Sequence, residues 1–296
     1  MPPLRLAIVG DIHDQWTPAD QALLLQLQPD LTLFVGDFGN ESLALVQAIA
    51  AIPLRKAVIL GNHDAWYTAT RWRRSQCPYD WTHENRFEQQ LEALGSLHVG
   101  YGRLDFPEWN LSVVGGRPCS AGGSQWQHRR FYRHYYQVGS FPESAQRIAD
   151  CAIASACDRV LFLAHCGPSG LGDQPEDPCG KDWSKPGGDF GDPDLAMAIA
   201  QVQRQKSVPL VCFGHMHHRL RNRRDRLRRS WHRDAAGTTY LNAAASPRLL
   251  KAEQTTLHHL LWVELGEDSL RAQQSWWTPA GVLVQSEELP LERQLA

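Results

Sequence analysis

Short apolar runs recur along the chain at 4–9 (LRLAIV), 31–35 (LTLFV), 56–60 (KAVIL), 111–114 (LSVV), 159–164 (RVLFLA) and 208–213 (VPLVCF). They are nearly continuous in hydrophobic character rather than alternating, which is the pattern of strands buried on both faces. Between them, helix-like segments run over 18–28, 40–51, 85–94, 142–156 and 193–205. Two have visible starts. Ser140 with Glu143 fits a capping box, and Asp192 before Pro193 fits an N-cap with proline at the first helical position. Strand–helix alternation predicts an α/β architecture. The last third changes character: 238–242 (TTYLN), 257–264 (LHHLLWVE) and 269–276 (SLRAQQSW) read as strands with no helices between them. A second, antiparallel-leaning sheet is their expected home.

Composition narrows the class. Hydrophobic residues at 43% and charged residues at 21% describe a soluble folded chain and exclude disorder for its bulk. No apolar run approaches the ~18–20 residues of a membrane helix. The run from Leu4 to Gly10 has neither a basic leader nor a cleavage site, so it reads as a first strand rather than a signal peptide. Seven cysteines (77, 119, 151, 157, 166, 179 and 212) are irregularly spaced without a C-x-x-C, which predicts reduced thiols in a cytoplasmic compartment. With no repeat and no low-complexity linker, residues 1–296 are expected to form one domain, with insertions at 66–84, 117–140 and 167–192. Long loops of this kind usually have a function or are disordered. The formal net charge of −2 argues against a globally basic nucleic-acid binder.

The ends of the strands carry the chemistry. The first runs into Gly10-Asp11-Ile12-His13, the second into Gly36-Asp37 and the third into Gly61-Asn62-His63-Asp64. The 159–164 strand ends at His165, and the 208–213 strand at Gly214-His215-Met216-His217. Open α/β sheets place their sites at that edge. Carboxylate oxygen, imidazole nitrogen and a carboxamide oxygen suit manganese, iron or zinc better than calcium or copper. The set exceeds the needs of one ion and suits two. Each motif alone is weak, since a lone G-D can be a helix cap and a lone G-H-x-H two solvated histidines. The ordered set, each member after a strand, is what carries weight.

In that order the motifs resemble the calcineurin-like metallophosphoesterases. The resemblance spans residue 4 to about 246, where Asn242-Ala-Ala-Ala-Ser246 stands in place of the family's Asn-Pro-Gly-Ser-like strand end. More loosely, His165-Cys-Gly-Pro-Ser-Gly-Leu-Gly172 and Gly188-Asp-Phe-Gly-Asp-Pro-Asp-Leu195 resemble a branch found in cyanobacteria and plant plastids. The resemblance implies an α/β fold in the form of a four-layer αββα sandwich, two mixed sheets flanked by helices. It also implies two divalent metal ions: one held by Asp11, His13, Asp37 and His217, the other by Asp37, Asn62, His165 and His215. Two dications about 3.5–4 Å apart share an anion and turn a bound water into a hydroxide near neutral pH, and that hydroxide attacks phosphorus in line. His63 resembles the family histidine that contacts the scissile phosphate and protonates the leaving oxygen. Asp64 is expected behind it as an orienting carboxylate, the alternative being a helix N-cap. After Asp37, several branches read G-D-x-x-D, whereas this chain has Asn40 at the last place. Asn40 is read as the cap of the 40–51 helix, with substrate contact as the alternative. The protein-phosphatase arginine is absent, which lowers the case for a phosphoprotein substrate.

Substrate choice has two further candidates. Eight arginines fall within 219–233, as an exposed hairpin that either meets a phosphate-rich partner or is balanced by acids elsewhere. The stretch from Trp126 to Tyr136 interleaves aromatics with arginine and either stacks a ring or packs as a lid. Trp66, Trp72 and Trp81, with Arg71, Arg73 and Arg74, follow Asp64 closely enough to wall the site. The expected function is a dinuclear, metal-dependent phosphoesterase, manganese before iron or zinc, acting on a small phosphorylated mono- or diester. The alternatives are a nuclease using the arginine hairpin on nucleic acid, and a non-catalytic binding or scaffold protein. The second is opposed by every ligand position being filled. The oligomeric state is not legible.

Overall fold

The computed structural model describes residues 2–253 and 255–291. In chain order the strands are β1 (Leu4–Val9), β2 (Leu31–Phe34), β3 (Lys56–Val58), β4 (Arg103–Phe106), β5 (Leu111–Gly115), β6 (Arg159–Leu163), β7 (Ser207–Phe213), β8 (Trp231–Arg233), β9 (Thr239–Asn242), β10 (Leu249–Lys251), β11 (Thr256–Leu265), β12 (Leu270–Trp277) and β13 (Leu283–Glu288). The helices are α1 (Pro18–Leu27), α2 (Leu43–Ala50), α3 (Arg71–Arg74), α4 (Arg86–Leu94), α5 (Arg129–Tyr136), α6 (Phe141–Ile153) and α7 (Pro193–Val202). One sheet has the order β13-β12-β11-β1-β2-β3, with β10 on β11; the other has the order β4-β5-β6-β7-β9-β8. Both are mixed. β1, β2 and β3 run parallel, as do β5, β6, β7 and β9, while β11 is antiparallel to β1, and β4 and β8 pair antiparallel at the edges of the second sheet.

The continuous hydrophobicity of the central strands follows from this layering. Successive side chains of a strand point to opposite faces. Leu6 and Ile8 of β1 enter a core with Leu33, Leu161, Leu210 and Leu241, drawn from both sheets. Ala7 and Val9 face the other way, into the core that holds Leu23, Leu24, Val46 and Ile49 of α1 and α2. On the second sheet, Phe162 and Val211 join Ile148, Leu195 and Ile199 of α6 and α7 in the same manner. The result is helix, sheet, sheet, helix: the four-layer sandwich of two mixed sheets.

The C-terminal strands do not make a sheet of their own. β9 inserts parallel to β7 in the second sheet, whereas β11, β12 and β13 extend the first sheet beyond β1. Their alternating pattern specified strands but carried no information about which edge they would find. The helix expected over 40–51 begins only at Leu43, because Glu41 turns the chain with φ 54° and Ser42 takes the N-cap position. Asp192 stands at the N-cap of α7 without a capping bond; its carboxylate binds Arg117 (2.6 Å) and the Ser120 hydroxyl (2.6 Å) instead. The Ser140 hydroxyl does accept from Glu143 N, but the Glu143 carboxylate accepts from Gly139 N rather than closing the box on Ser140. The aromatic stretch forms α5, whose Phe131, Tyr132 and Tyr136 are buried in the core. The arginine segment is mostly irregular: an isolated Arg219–Leu227 bridge precedes β8.

Candidate metal centre

The C-terminal ends of β1, β2 and β3 meet those of β6 and β7, and their side chains fall into contiguous donor groups. Asp11, His13 and His217 place ligand atoms within 4.8 Å of one another, as do Asp37, His165 and His215. A third group, His13, Asp37 and His63, lies between them. Small residues allow this crowding. A Cβ on Gly61 would stand 2.3 Å from Asp37 Oδ1 and 2.6 Å from His165 Cε1, so only glycine lets the β3 turn approach the site.

The separations between donors match ligands around an ion. His13 Nε2 and His217 Nε2 are 3.0 Å apart, His217 Nε2 and Asp11 Oδ2 3.2 Å, His165 Nε2 and Asn62 Oδ1 3.0 Å, and His165 Nε2 and Asp37 Oδ1 3.3 Å. Neighbouring ligands at about 2.1 Å from a common ion stand roughly 3 Å apart. Asp37 turns Oδ1 toward His165 and Oδ2 toward His13 (3.7 Å), so its two oxygens serve the two groups. His165 Nδ1 donates to Val35 O at 2.7 Å, which leaves Nε2 as a lone pair facing the centre, the usual support of a metal-binding imidazole. The donor set therefore fits divalent metal.

The electrostatics describe a tightly coupled cluster. Burial disfavours a charged His165, yet the Asp37 carboxylate beside it pushes its pKa up to about 10. Burial alone would raise Asp37, but His165, with His63 and His13, holds it well below the carboxylate range. Burial and then the neighbouring His165 push His215 down to about 3. Burial would likewise raise Asp11, which its hydrogen bond with His217 keeps low.

Two expected roles change. The Asp64 carboxylate does not reach the His63 ring. It accepts from the backbone amides of Gly61 (2.7 Å), Asp37 (2.9 Å) and Phe38 (2.9 Å), clasping the turns after β2 and β3 together. Burial and the charge of Asp37 raise its pKa well above the ordinary value. The position behind His63 belongs to Asn40, whose Oδ1 lies 2.6 Å from His63 Nδ1. Asn40 is thus the partner of the imidazole and not a helix cap. It was missed because a polar residue just before a helical pattern reads as a cap.

Further side chains wall a cavity of about 260 Å³ over the donors. The His63 ring stacks on Trp66 (4.2 Å, 17°), and Arg73 lies over the same indole at 3.4 Å. Arg219, Arg221 and Trp183 also line it. The insertion after Asp64 does wall the site, through Trp66 and Arg73; Trp72 is instead exposed, and Trp81 belongs to another cavity. Four of the eight arginines are matched by acids: Arg223 and Arg226 with Asp225 and Glu176, Arg228 with Asp182, and Arg229 with Asp177.

Carboxylates, imidazoles and a carboxamide gathered at the strand ends of a two-sheet sandwich define a metal-dependent hydrolase. Residues 4–219 match the calcineurin-like phosphoesterases, and the chain belongs to that family, whose members hydrolyse phosphoric ester bonds. The TT1561 protein of Thermus thermophilus is 11% identical over 92% of this chain and 99% of its own, with a TM-score of 0.51, a likeness of fold. A dimetal phosphatase from Danio rerio is 15% identical over 97% and 99% of the two chains, with a TM-score of 0.48. A search of curated proteins returned no match. Among the described residues no helix is long and apolar enough to cross a membrane.

Proposed function

We propose that the chain is a dinuclear phosphoesterase acting on a small phosphate mono- or diester. In this reading Asp11, His13, Asp37 and His217 hold one ion, and Asp37, Asn62, His165 and His215 the other. The carrying observation is Asp37, which presents one oxygen to each donor group. When bound, two divalent cations make an attacking water acidic near neutral pH and neutralise the phosphoryl oxygens. The nitrogen and oxygen donors favour manganese, with iron or zinc as alternatives.

The chain's own residues do the rest. Asn40 Oδ1 accepts from His63 Nδ1, so that nitrogen keeps its proton and Nε2 is the atom that exchanges one. Protonated there, the imidazole can hand a proton to the leaving oxygen. Stacking on Trp66 fixes the plane of the ring. Arg73, Arg219 and Arg221 line the cavity and offer cations to the anionic substrate. The nuclease alternative is weakened because half of the arginine segment is already neutralised by neighbouring acids. Seven free cysteines support work in a reducing, cytoplasmic compartment.

The test is hydrolysis by metal-stripped protein with manganese returned, comparing a nitrophenyl phosphate monoester with the bis-nitrophenyl diester. Metal-dependent turnover of either is expected, lost in His63→Ala while that variant keeps both ions by elemental analysis. Loss of metal with His63→Ala would instead make His63 a ligand. Metal-free protein that stays inert after manganese is added would overturn the reading.

A further inference from the structure

The 66–84 insertion and helix α5 line a second cavity, of about 770 Å³, to which no candidate metal ligand contributes. Helix α3 contributes side chains to both cavities. Arg73 faces the catalytic cavity, while Arg71 and Arg74 line this one together with Arg130 of α5. No carboxylate lies within 4.0 Å of these three guanidinium groups among the described residues. The acid in the wall, Glu84, is engaged by Arg86 at 2.7 Å. The cavity therefore holds uncompensated positive charge.

Its other lining is aromatic and held in place. The Tyr79 hydroxyl donates to the buried Glu41 carboxylate. The Tyr135 hydroxyl accepts from Asn85 Nδ2 at 3.0 Å, and its ring packs edge-on against Phe87 (4.8 Å). Trp81 has Arg74 over its ring at 5.0 Å and is half exposed. Guanidinium groups grip phosphate oxygens bidentately, and aromatic faces stack planar rings. A small-molecule site occupies roughly 300–1,000 Å³. This cavity lies within that range and far exceeds the needs of a lone phosphate.

We propose that this cavity is a second binding site, separate from the metal centre, for a planar organic phosphate such as a nucleoside mono- or diphosphate. The arginines take the phosphate, and Trp81 with Tyr79 and Tyr135 takes the ring. Convergence of three cations on one cavity favours a small ligand over a polynucleotide, which needs charge laid along a track.

The experiment is calorimetric titration of the metal-stripped full-length chain with ADP, and separately with adenosine and with pyrophosphate. ADP is expected to bind more tightly than either half. The exposed pair Arg71→Glu/Arg130→Glu should weaken it at least tenfold, and Arg219→Glu/Arg221→Glu in the metal cavity should leave it unchanged. Circular dichroism of both variants checks that they fold. No ADP binding, or binding lost in the metal-cavity variant instead, overturns the proposal. So does a single-stranded oligonucleotide that binds where ADP does not. Because metal is absent throughout, failure here leaves the phosphoesterase reading standing, and the reverse also holds.

Discussion

Replacing Asp64 by alanine tests what holds the ligand-bearing turns in register. Asp64 is fully buried, and its carboxylate is the shared acceptor for three backbone amides on two turns. Its own carbonyl accepts from Gln90 Nε2 of α4 at 2.8 Å, so the clasp is anchored to the helical layer. Alanine leaves three buried N–H groups without an acceptor, and each such orphan costs ~1–3 kcal/mol. Water entering the vacated space recovers part of that, so a loss of roughly 3–6 kcal/mol is expected. Asp64→Asn keeps one oxygen and should cost about 1–3 kcal/mol. The assay is urea unfolding of metal-free protein followed by circular dichroism, so that metal binding adds nothing to the stability measured. An Asp64→Ala chain that loses turnover while its stability stays within about 1 kcal/mol of the parent refutes the clasp. It would return Asp64 to a role on His63.

Asn40→Ala removes the acceptor from His63 Nδ1; turnover should fall tenfold or more with metal content unchanged by elemental analysis. Asp37→Asn weakens the carboxylate shared by both donor groups. The thermal stabilisation by manganese, worth ~2.7 kcal/mol at one hundred times the dissociation constant, should largely disappear in a melting experiment. Acid stability is set in part by His98, whose pKa burial lowers to about 4. The unfolded ring titrates near ~6.5 and takes up protons that the folded one refuses. Stability from this group is therefore complete above that value and declines as pH falls toward 4, a slope that His98→Gln should flatten in denaturation at stepped pH. Arg117→Met strands Asp192 and Asp194, both paired with it in the core, and should cost about 3–5 kcal/mol in the same assay.

The candidate donors were legible because each set follows an apolar run, and Asp11, Asp37, Asn62 and His215 sit directly after a glycine, which marks a strand end in the sequence itself. Their partners were not. Asp64 works on amides 26 and 27 residues away, and nothing in its local spelling distinguishes a clasp from a carboxylate behind an imidazole. Asn40 was misplaced by a few residues of helix boundary, since the turn at Glu41 that frees it is a left-handed residue with no glycine to announce it. Sheet membership failed for a similar reason. Leu265 pairs with Leu4 across the whole chain, and alternation reports a strand's two faces but not its neighbours. The arginine segment was readable as charge, but whether it was balanced depended on Glu176, Asp177 and Asp182 of a distant loop.

The backbone explains how candidate ligands from two sheets stand so close. His13 (φ 44°), Asp37 (φ 52°) and His215 (φ 65°) all lie in the left-handed region, which costs roughly 1–2 kcal/mol for each residue bearing a Cβ. Glycine would relieve that cost and lose the donor, so the chain keeps the donor and carries the strain. Hydrogen bonds between the turns hold it there. His13 N donates to Asp37 O at 2.7 Å, Asp37 N to Asp64, and His215 N to the Asp11 carboxylate at 3.0 Å. Asp11 thus ties the turn after β7 to the end of β1 while facing His217, and Asp37 accepts from His63 N at 2.8 Å while facing His165. The same carboxylates that would bind metal brace the turns against their own strain.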